Sequence, residues 1–223
     1  MILSFGDVLT IDEHRALRAR LDGATFVDGR QTAGAALASL KHNEQLAPDS
    51  STLAGVVEIV LAALRRHAPF CDALLPRQLH SLMVARYRPG MQYGAHVDAA
   101  LMGSERVHRS DASLTLFLNE PTDYDGGELS LDTGSGDMRI KLPARSLVCY
   151  PTGQTHQVLP VTRGERLVVV AWIESFVRDT TARSILWDLA QARDEIFAKE
   201  GKSRAFDLVV RAHANLLRQV AGT

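Results

Sequence analysis

His96 and Asp98 stand two apart in YGAHVDAA, residues 93–100. An imidazole and a carboxylate at that spacing can be two ligands of one metal ion. On a β-strand, residues i and i+2 point to the same face, roughly 6.6 Å apart along the chain. The same pair also fits as two polar residues on a wet strand face, and the spacing alone does not choose. A third donor must come from elsewhere. The chain has eight histidines. His14, His42, His67 and His213 fall in helical or loop-like stretches, His80 opens a strand and His108 lies in the charged loop GSERVHRSD. Solvated or hydrogen-bonded roles are expected for all six. His156 differs, because it sits in YPTGQTHQVLP and opens a late strand of the same β unit as His96. Two histidines and one carboxylate on one face of an ion leave three positions open, the arrangement of non-haem Fe(II) oxygenases.

Such oxygenases commonly consume a 2-oxo acid, whose far carboxylate needs a cation. Arg166 follows His156 by ten residues, across PVTRGE. If that segment is a hairpin turn centred near residue 161 or 162, Arg166 comes opposite or diagonal to His156, about 5–8 Å away. Arginine suits the task because its planar fork meets a carboxylate with two hydrogen bonds. The alternative is a surface arginine beside a turn. Arg163, within the turn, is expected to be solvated.

These residues need elements to hold them. Residues 1–77 read as an N-terminal helical segment. TIDEHRALRARLD opens with Thr10 and carries Glu13 three residues on, a capping-box pattern. DSSTLAGVVEIVLAALRRHA, with an Asp/Ser cap, has an apolar stripe through Leu53, Val56, Val57, Val60, Leu61 and Leu64. FVDGRQTAGAALASLKHNEQL between them is Gly-rich and ambiguous. Residues 78–178 read as about eight short strands separated by turn signals, which suggests a sandwich or barrel. Residues 179–223 return to helical spacing, with Gly201 between two helices. The fold class is therefore a mainly β core with flanking helices (α+β).

Composition narrows the partners. The 223 residues carry 25 Lys and Arg against 26 Asp and Glu. No basic field exists to recruit nucleic acid or an anionic membrane. The longest apolar run, LVVVAWI, is too short for a membrane-spanning helix. Cys71 and Cys149 lie far apart and read as reduced thiols in a cytoplasmic protein.

RYRPGMQYGAHVD, SLTLFLNEPTDYDGGELSL, LPARSLVCYPTGQTHQVLPVTRGER and WIESFVRD together resemble the PKHD-type hydroxylases, bacterial Fe(II)- and 2-oxoglutarate-dependent dioxygenases similar in core to prolyl 4-hydroxylases. The resemblance runs over nearly the whole chain. It implies a double-stranded β-helix (jelly roll) with N-terminal helices and a C-terminal helical pair. It implies that His96, Asp98 and His156 bind Fe(II), that Arg166 binds 2-oxoglutarate and that L-ascorbate serves as reductant. Tyr87 matches a tyrosine that lines the co-substrate pocket in similar hydroxylases, and reads equally well as a core aromatic. Tyr93 could face the substrate. The implied reaction hydroxylates an unactivated C–H bond, with succinate and CO2 as co-products, and a carboxylate ligand at position 98 argues against halogenation. A cupin-like enzyme using another divalent metal and a non-catalytic iron or 2-oxoglutarate sensor are the rival readings. The substrate, a small molecule or a peptide, is not legible; a loose family link to iron acquisition suggests a siderophore-related compound. The loop from Ala99 to Ala112, with Glu105, Arg106, His108, Arg109 and Asp111, is a candidate substrate-contact segment. The terminal helices could support a homo-oligomer.

Overall fold

A computed structural model describes all residues except Ala35, Ala36, Asp49, Ser104, Glu105 and Thr223. Glu105, one of the loop residues singled out above, and Asp49, part of the expected helix cap, thus lie outside the described residues.

The chain begins with β1 (Leu3–Phe5), α1 (Ile11–Leu21), β2 (Phe26–Asp28), a 3-10 turn (Gly29–Thr32), β3 (Lys41–His42) and β4 (Glu44–Leu46). Two helices follow, α2 (Ser51–Arg66) and α3 (Ala68–Leu74). The β core then runs through β5 (Pro76–Tyr87), β6 (Gln92–His96), β7 (Leu101–Met102), β8 (His108–Arg109), β9 (Ala112–Phe117) and β10 (Tyr124–Gly126). It continues with β11 (Leu129–Asp132), β12 (Asp137–Ile140), β13 (Leu147–Pro151), β14 (His156–Val158), β15 (Val161–Gly164) and β16 (Arg166–Ser175). The chain ends in α4 (Thr180–Glu200) and α5 (Arg204–Val220).

Two sheets face each other. The larger has the order β1-β13-β9-β16-β5-β4-β2 and the smaller β12-β11-β14-β6-β3. Every pairing in them is antiparallel. Together with its helices this is the jelly-roll class. The two-residue period of the larger sheet sorts its side chains. On β16, Leu167, Val169, Ala171 and Ile173 join a core shared with the N-terminal helices. Val168 and Val170 turn the other way, into the space between the sheets. On β9, Leu114 and Leu116 face the helices while Phe117 faces the interior. Both faces of β9 and most of β16 are buried; β9 still alternates Ser113 and Thr115 with Leu114 and Leu116, whereas β16 is apolar on both faces from Leu167 to Ile173.

The helices start and stop where their chemistry allows. Thr10 and Glu13 form the expected capping box on α1. Ser50 caps α2, its Oγ accepting from the Leu53 amide. Gly201, at φ +65°, ends α4 in a conformation most residues avoid. The C-terminal helical pair is present as read, and α5 leaves Leu208 exposed.

Three readings need correction. Residues 1–77 are not wholly helical: β1, β2 and β4 join the larger sheet and β3 joins the smaller. These pieces have two or three residues, too few to show a period. Among the described residues the core has twelve strands from β5 to β16 rather than about eight; the four extra pieces are β7, β8, β10 and β15, which pair only with each other in two short ribbons. Finally, PVTRGE is not a hairpin turn. Val161–Gly164 is a strand paired with β10, and the chain then crosses to the opposite sheet. No described helix is long and apolar enough to cross a membrane.

Candidate metal centre and co-substrate pocket

β6 and β14 are antiparallel neighbours, and their register sets His96 directly opposite His156. Both are buried, at 8% and 6% exposure. Each imidazole is oriented from within its own segment. His96 Nδ1–H donates to the Gly94 carbonyl at 2.8 Å, and His156 Nδ1–H donates to the Gln154 carbonyl at 2.9 Å. That bond commits the proton to Nδ1 and leaves the Nε2 lone pair as the free donor, the usual way a protein orients a metal-binding imidazole. Burial, with His156 nearby, holds the His96 pKa down to about 4. At neutral pH no proton need be displaced from it.

Asp98 completes the group, although not as a strand residue. β6 ends at His96, and Asp98 lies in the following loop. From there its carboxylate is held by the other sheet: Oδ2 accepts from Ser113 Oγ at 2.7 Å and from Trp172 Nε1 at 2.9 Å. Ser113 and Trp172 are themselves cross-strand partners on β9 and β16. Nε2 of His96 lies 3.7 Å from Asp98 Oδ1, and Nε2 of His156 lies 3.7 Å from Oδ2. One ligand atom from each residue falls within 4.8 Å of the others, and among the described residues no other His, Cys, Asp or Glu group does this. Two imidazole nitrogens and one carboxylate oxygen, converging from one side, are a donor set that fits a divalent iron.

The pocket continues from these donors to Arg166, past Tyr87, Leu129 and Val158. Arg166 is 1% exposed, yet its Nε has no hydrogen-bond partner among the described residues. Its guanidinium lies 5.0 Å from the Tyr87 ring centre and 5.6 Å from that of Phe117. A buried cation against aromatic faces without a carboxylate is costly unless an anion completes it. Arg166 comes from the larger sheet, opposite Tyr87 on β5, rather than across a hairpin from His156. The pairing expected with His156 is therefore wrong, whereas both residues do line one pocket. Tyr87 is 3% exposed, and burial raises its hydroxyl pKa. Arg163 is exposed, as expected, and pairs with Asp125 at 2.6 Å.

Tyr93 stacks on His96 with ring centres 3.7 Å apart. His80 and His108 stack on each other, and His108 meets Glu174 at 3.4 Å, away from the metal donors. Sequence reading missed Ser113 and Trp172. Their one available signal was polar character on otherwise apolar strands, SLTLFL and LVVVAWI. It also missed Asn43 and Gln45, which line the pocket from the junction of β3 and β4, strands too short to recognise.

Comparison with known proteins places this architecture. Residues 82–174, which include every residue of the donor set and Arg166, match the family model of the 2OG-Fe(II) oxygenase superfamily. A PKHD-type hydroxylase from Crocosphaera subtropica is 45% identical over 221 residues, covering 99% of this chain and 100% of the relative. One from Acaryochloris marina is 47% identical over 221 residues with the same coverage. The chain belongs to the PKHD-type hydroxylases. As a member it is a 2-oxoglutarate-dependent dioxygenase working with Fe(II) and 2-oxoglutarate. Solved structures share the fold of this hydroxylase at low identity. A Trichoplax adhaerens prolyl hydroxylase, solved with a hypoxia inducible factor peptide fragment, has a TM-score of 0.59 at 14% identity, over 82% of this chain and 86% of that one. A Pseudomonas putida prolyl-4-hydroxylase has a TM-score of 0.52 at 23% identity, over 78% and 92%.

Proposed function

We propose that this hydroxylase inserts one oxygen atom into an unactivated C–H bond of a small molecule or peptide, with 2-oxoglutarate leaving as succinate and CO2. His96, Asp98 and His156 hold the iron, Arg166 receives the distal carboxylate of 2-oxoglutarate, and Tyr87 lines the co-substrate pocket. The observation that carries this reading is the pocket's two ends: three converging donors at one, and a buried guanidinium with an unpartnered Nε at the other.

When bound, Fe(II) supplies dioxygen activation coupled to the oxidative decarboxylation of 2-oxoglutarate. The chain's own residues do the rest. The Nδ1 bonds of the two histidines keep both Nε2 lone pairs aimed inward. Ser113 and Trp172 fix one oxygen of Asp98, which leaves Oδ1 for the ion. Arg166 supplies a fork for a carboxylate, and Leu129, Val158 and Val170 keep the space between apolar and dry.

Anaerobic protein should take up one Fe(II) per chain and, with 2-oxoglutarate added, develop a metal-to-ligand absorption band. On admission of dioxygen it should release succinate slowly even without the true substrate, and ascorbate should prolong that release. Absence of both the band and succinate would refute the reading; a band with no succinate under any substrate screen would leave a sensor instead.

A further inference from the structure

Outside the metal donors lies a second cavity of about 390 Å3, within the usual range for a small-molecule site. It shares Met83, Tyr93, Asp98 and Trp172 with the inner pocket, so the two meet beside the metal donors. Leu37, Val97, Ala99 and Met102 extend its wall with aliphatic surface. Among the described lining residues, the polar side chains are Thr32, Ser81, Tyr93, Asp98 and the Trp172 indole.

Nearly all of that polarity is spent within the protein. Thr32 gives its one proton to Gln45 Oε1 at 2.8 Å or to the Gly29 carbonyl at 3.1 Å, and its oxygen accepts from Lys41 Nζ at 2.8 Å. Gln45 Nε2 donates in turn to Met83 Sδ at 2.9 Å. Lys41 stands behind Thr32 and lines neither cavity. Ser81 is committed by its neighbour. His80 Nε2 lies 3.3 Å from the Arg109 carbonyl, which can only accept, so that nitrogen carries the ring proton. Burial holds the His80 pKa below its ordinary value and keeps the ring neutral. Its Nδ1 therefore accepts, and Ser81 Oγ, 3.3 Å away, is the donor. Trp172 Nε1 donates to Asp98. Asp98 is the one charge on the described wall, and a bound iron ion offsets it. The Tyr93 hydroxyl is left, and with its pKa pushed up to about 12 by burial it stays uncharged at neutral pH. A carboxylate or an ammonium entering this space gives up its water and meets no opposite charge to replace it. An aliphatic chain gains from the same transfer.

We propose that the outer cavity is the substrate site and that it selects an uncharged aliphatic group, held by contact with the apolar wall and at most one hydrogen bond from Tyr93. Charged parts of the substrate stay outside. This deepens the function proposed above and rests on it.

The test uses enzyme loaded anaerobically with Fe(II) and saturating 2-oxoglutarate, so that the carboxylate seat at Arg166 is filled. Three probes share one chain and differ in head group: hexanamide, hexanoate and hexylammonium. Ligand-observed NMR gives affinity, and broadening of the probe's lines by the iron reports proximity. Hexanamide should bind at least about tenfold more tightly than either charged probe and be broadened. Along butanamide, hexanamide and octanamide, affinity should rise about threefold per added methylene. Met102→Glu, on the partly exposed rim, should weaken hexanamide at least about threefold and narrow its lead over hexylammonium. A charged probe that binds the wild-type enzyme as tightly as hexanamide, affinity that is flat with chain length, or lines that stay sharp would overturn the proposal. The wild-type series decides even if Met102→Glu does not fold. The absorption band of the Fe(II)–2-oxoglutarate complex separates the two claims. A normal band with no preference for the neutral head group rejects this inference and spares the function; no band and no succinate reject both.

Discussion

On the smaller sheet, His96 and His156 face each other across one strand pair, and each is oriented by a carbonyl two residues back in its own segment. On the larger sheet, nothing relevant is so local. Ser113 and Trp172 reach from neighbouring strands to a carboxylate that arrives from the opposite sheet. Arg166 projects from beside Tyr87 into a pocket whose metal donors belong elsewhere. The smaller sheet thus supplies both imidazoles, already oriented, and the larger sheet supplies charge and hydrogen bonds that fix everything the imidazoles do not. This suggests that damage to the smaller sheet should remove the metal, and damage to the larger should leave metal bound but badly served.

The largest expected effect tests the first half. His96→Ala and His156→Ala should each weaken Fe(II) binding by more than about 100-fold, beyond the 10- to 100-fold typical for removing a partner that only orients a ligand. The two losses should be similar, because the two imidazoles are held alike. Anaerobic titration with Fe(II) measures this. His80→Ala and His108→Ala should keep full stoichiometry, since those rings stack on each other away from the donors. Retained iron in either of the first two variants would break the division between the sheets at its strongest point.

Arg166 tests the second half. A charge-assisted pair with a carboxylate contributes about 1.5–3 kcal/mol, so Arg166→Ala should weaken 2-oxoglutarate about 10- to 150-fold. Iron affinity should stay near wild type, because Arg166 touches none of the metal donors. Arg166→Lys should recover part of the loss, as an ammonium supplies charge without the fork. Arg163→Ala should change co-substrate binding by less than about twofold; that side chain is exposed and spends its charge on Asp125. Titration of 2-oxoglutarate into the Fe(II) enzyme, followed by the absorption band, separates these outcomes. Loss of iron in Arg166→Ala would mean that the sheets are not independent.

The same contrast explains what could be read from sequence. His96, Asp98 and His156 could be singled out as candidate ligands, and the structure brings them together, because ligand spacing and strand punctuation are local patterns. Helices α1, α2 and α4 were legible because Thr10, Ser50 and Gly201 announce their ends. Arg166 was singled out by its type and its distance from His156, and it does line the same pocket, although the hairpin used to place it does not exist. Residues 161–164 form a strand in a separate ribbon, and the chain changes sheets after Gly164, a step that carries no periodic signal. Ser113 and Trp172 were missed for another reason. On β16, buried on both faces, inward and outward residues are alike apolar, so the parity that points Trp172 inward and Ile173 outward cannot be read off; on β9 Ser113 and Thr115 do alternate with Leu114 and Leu116, but that pattern reads as a solvated face and not as an interior one. Lys41, Asn43 and Gln45 alternate inward along a run of six residues that splits between two sheets, which is too little for a pattern.

The smallest effect sharpens the comparison most, because it asks how tightly the two sheets are joined through Asp98. Both Ser113 and Trp172 donate to the same atom, Oδ2. Ser113→Ala and Trp172→Phe should each weaken Fe(II) about tenfold, the lower end for a group that orients a ligand, because the other donor still holds the carboxylate. Removing both should cost more than the product of the two, since Oδ2 then loses every donor from the larger sheet and Asp98 is free to swing. A double-mutant cycle on Fe(II) affinity measures that excess. Succinate release at saturating iron gives a second readout: it should fall in the double variant even when the metal is fully bound, because Oδ1 is no longer presented in one orientation. Strict additivity would show that Asp98 is held by its own loop, and that the larger sheet's part in the metal centre ends at Arg166 and the co-substrate.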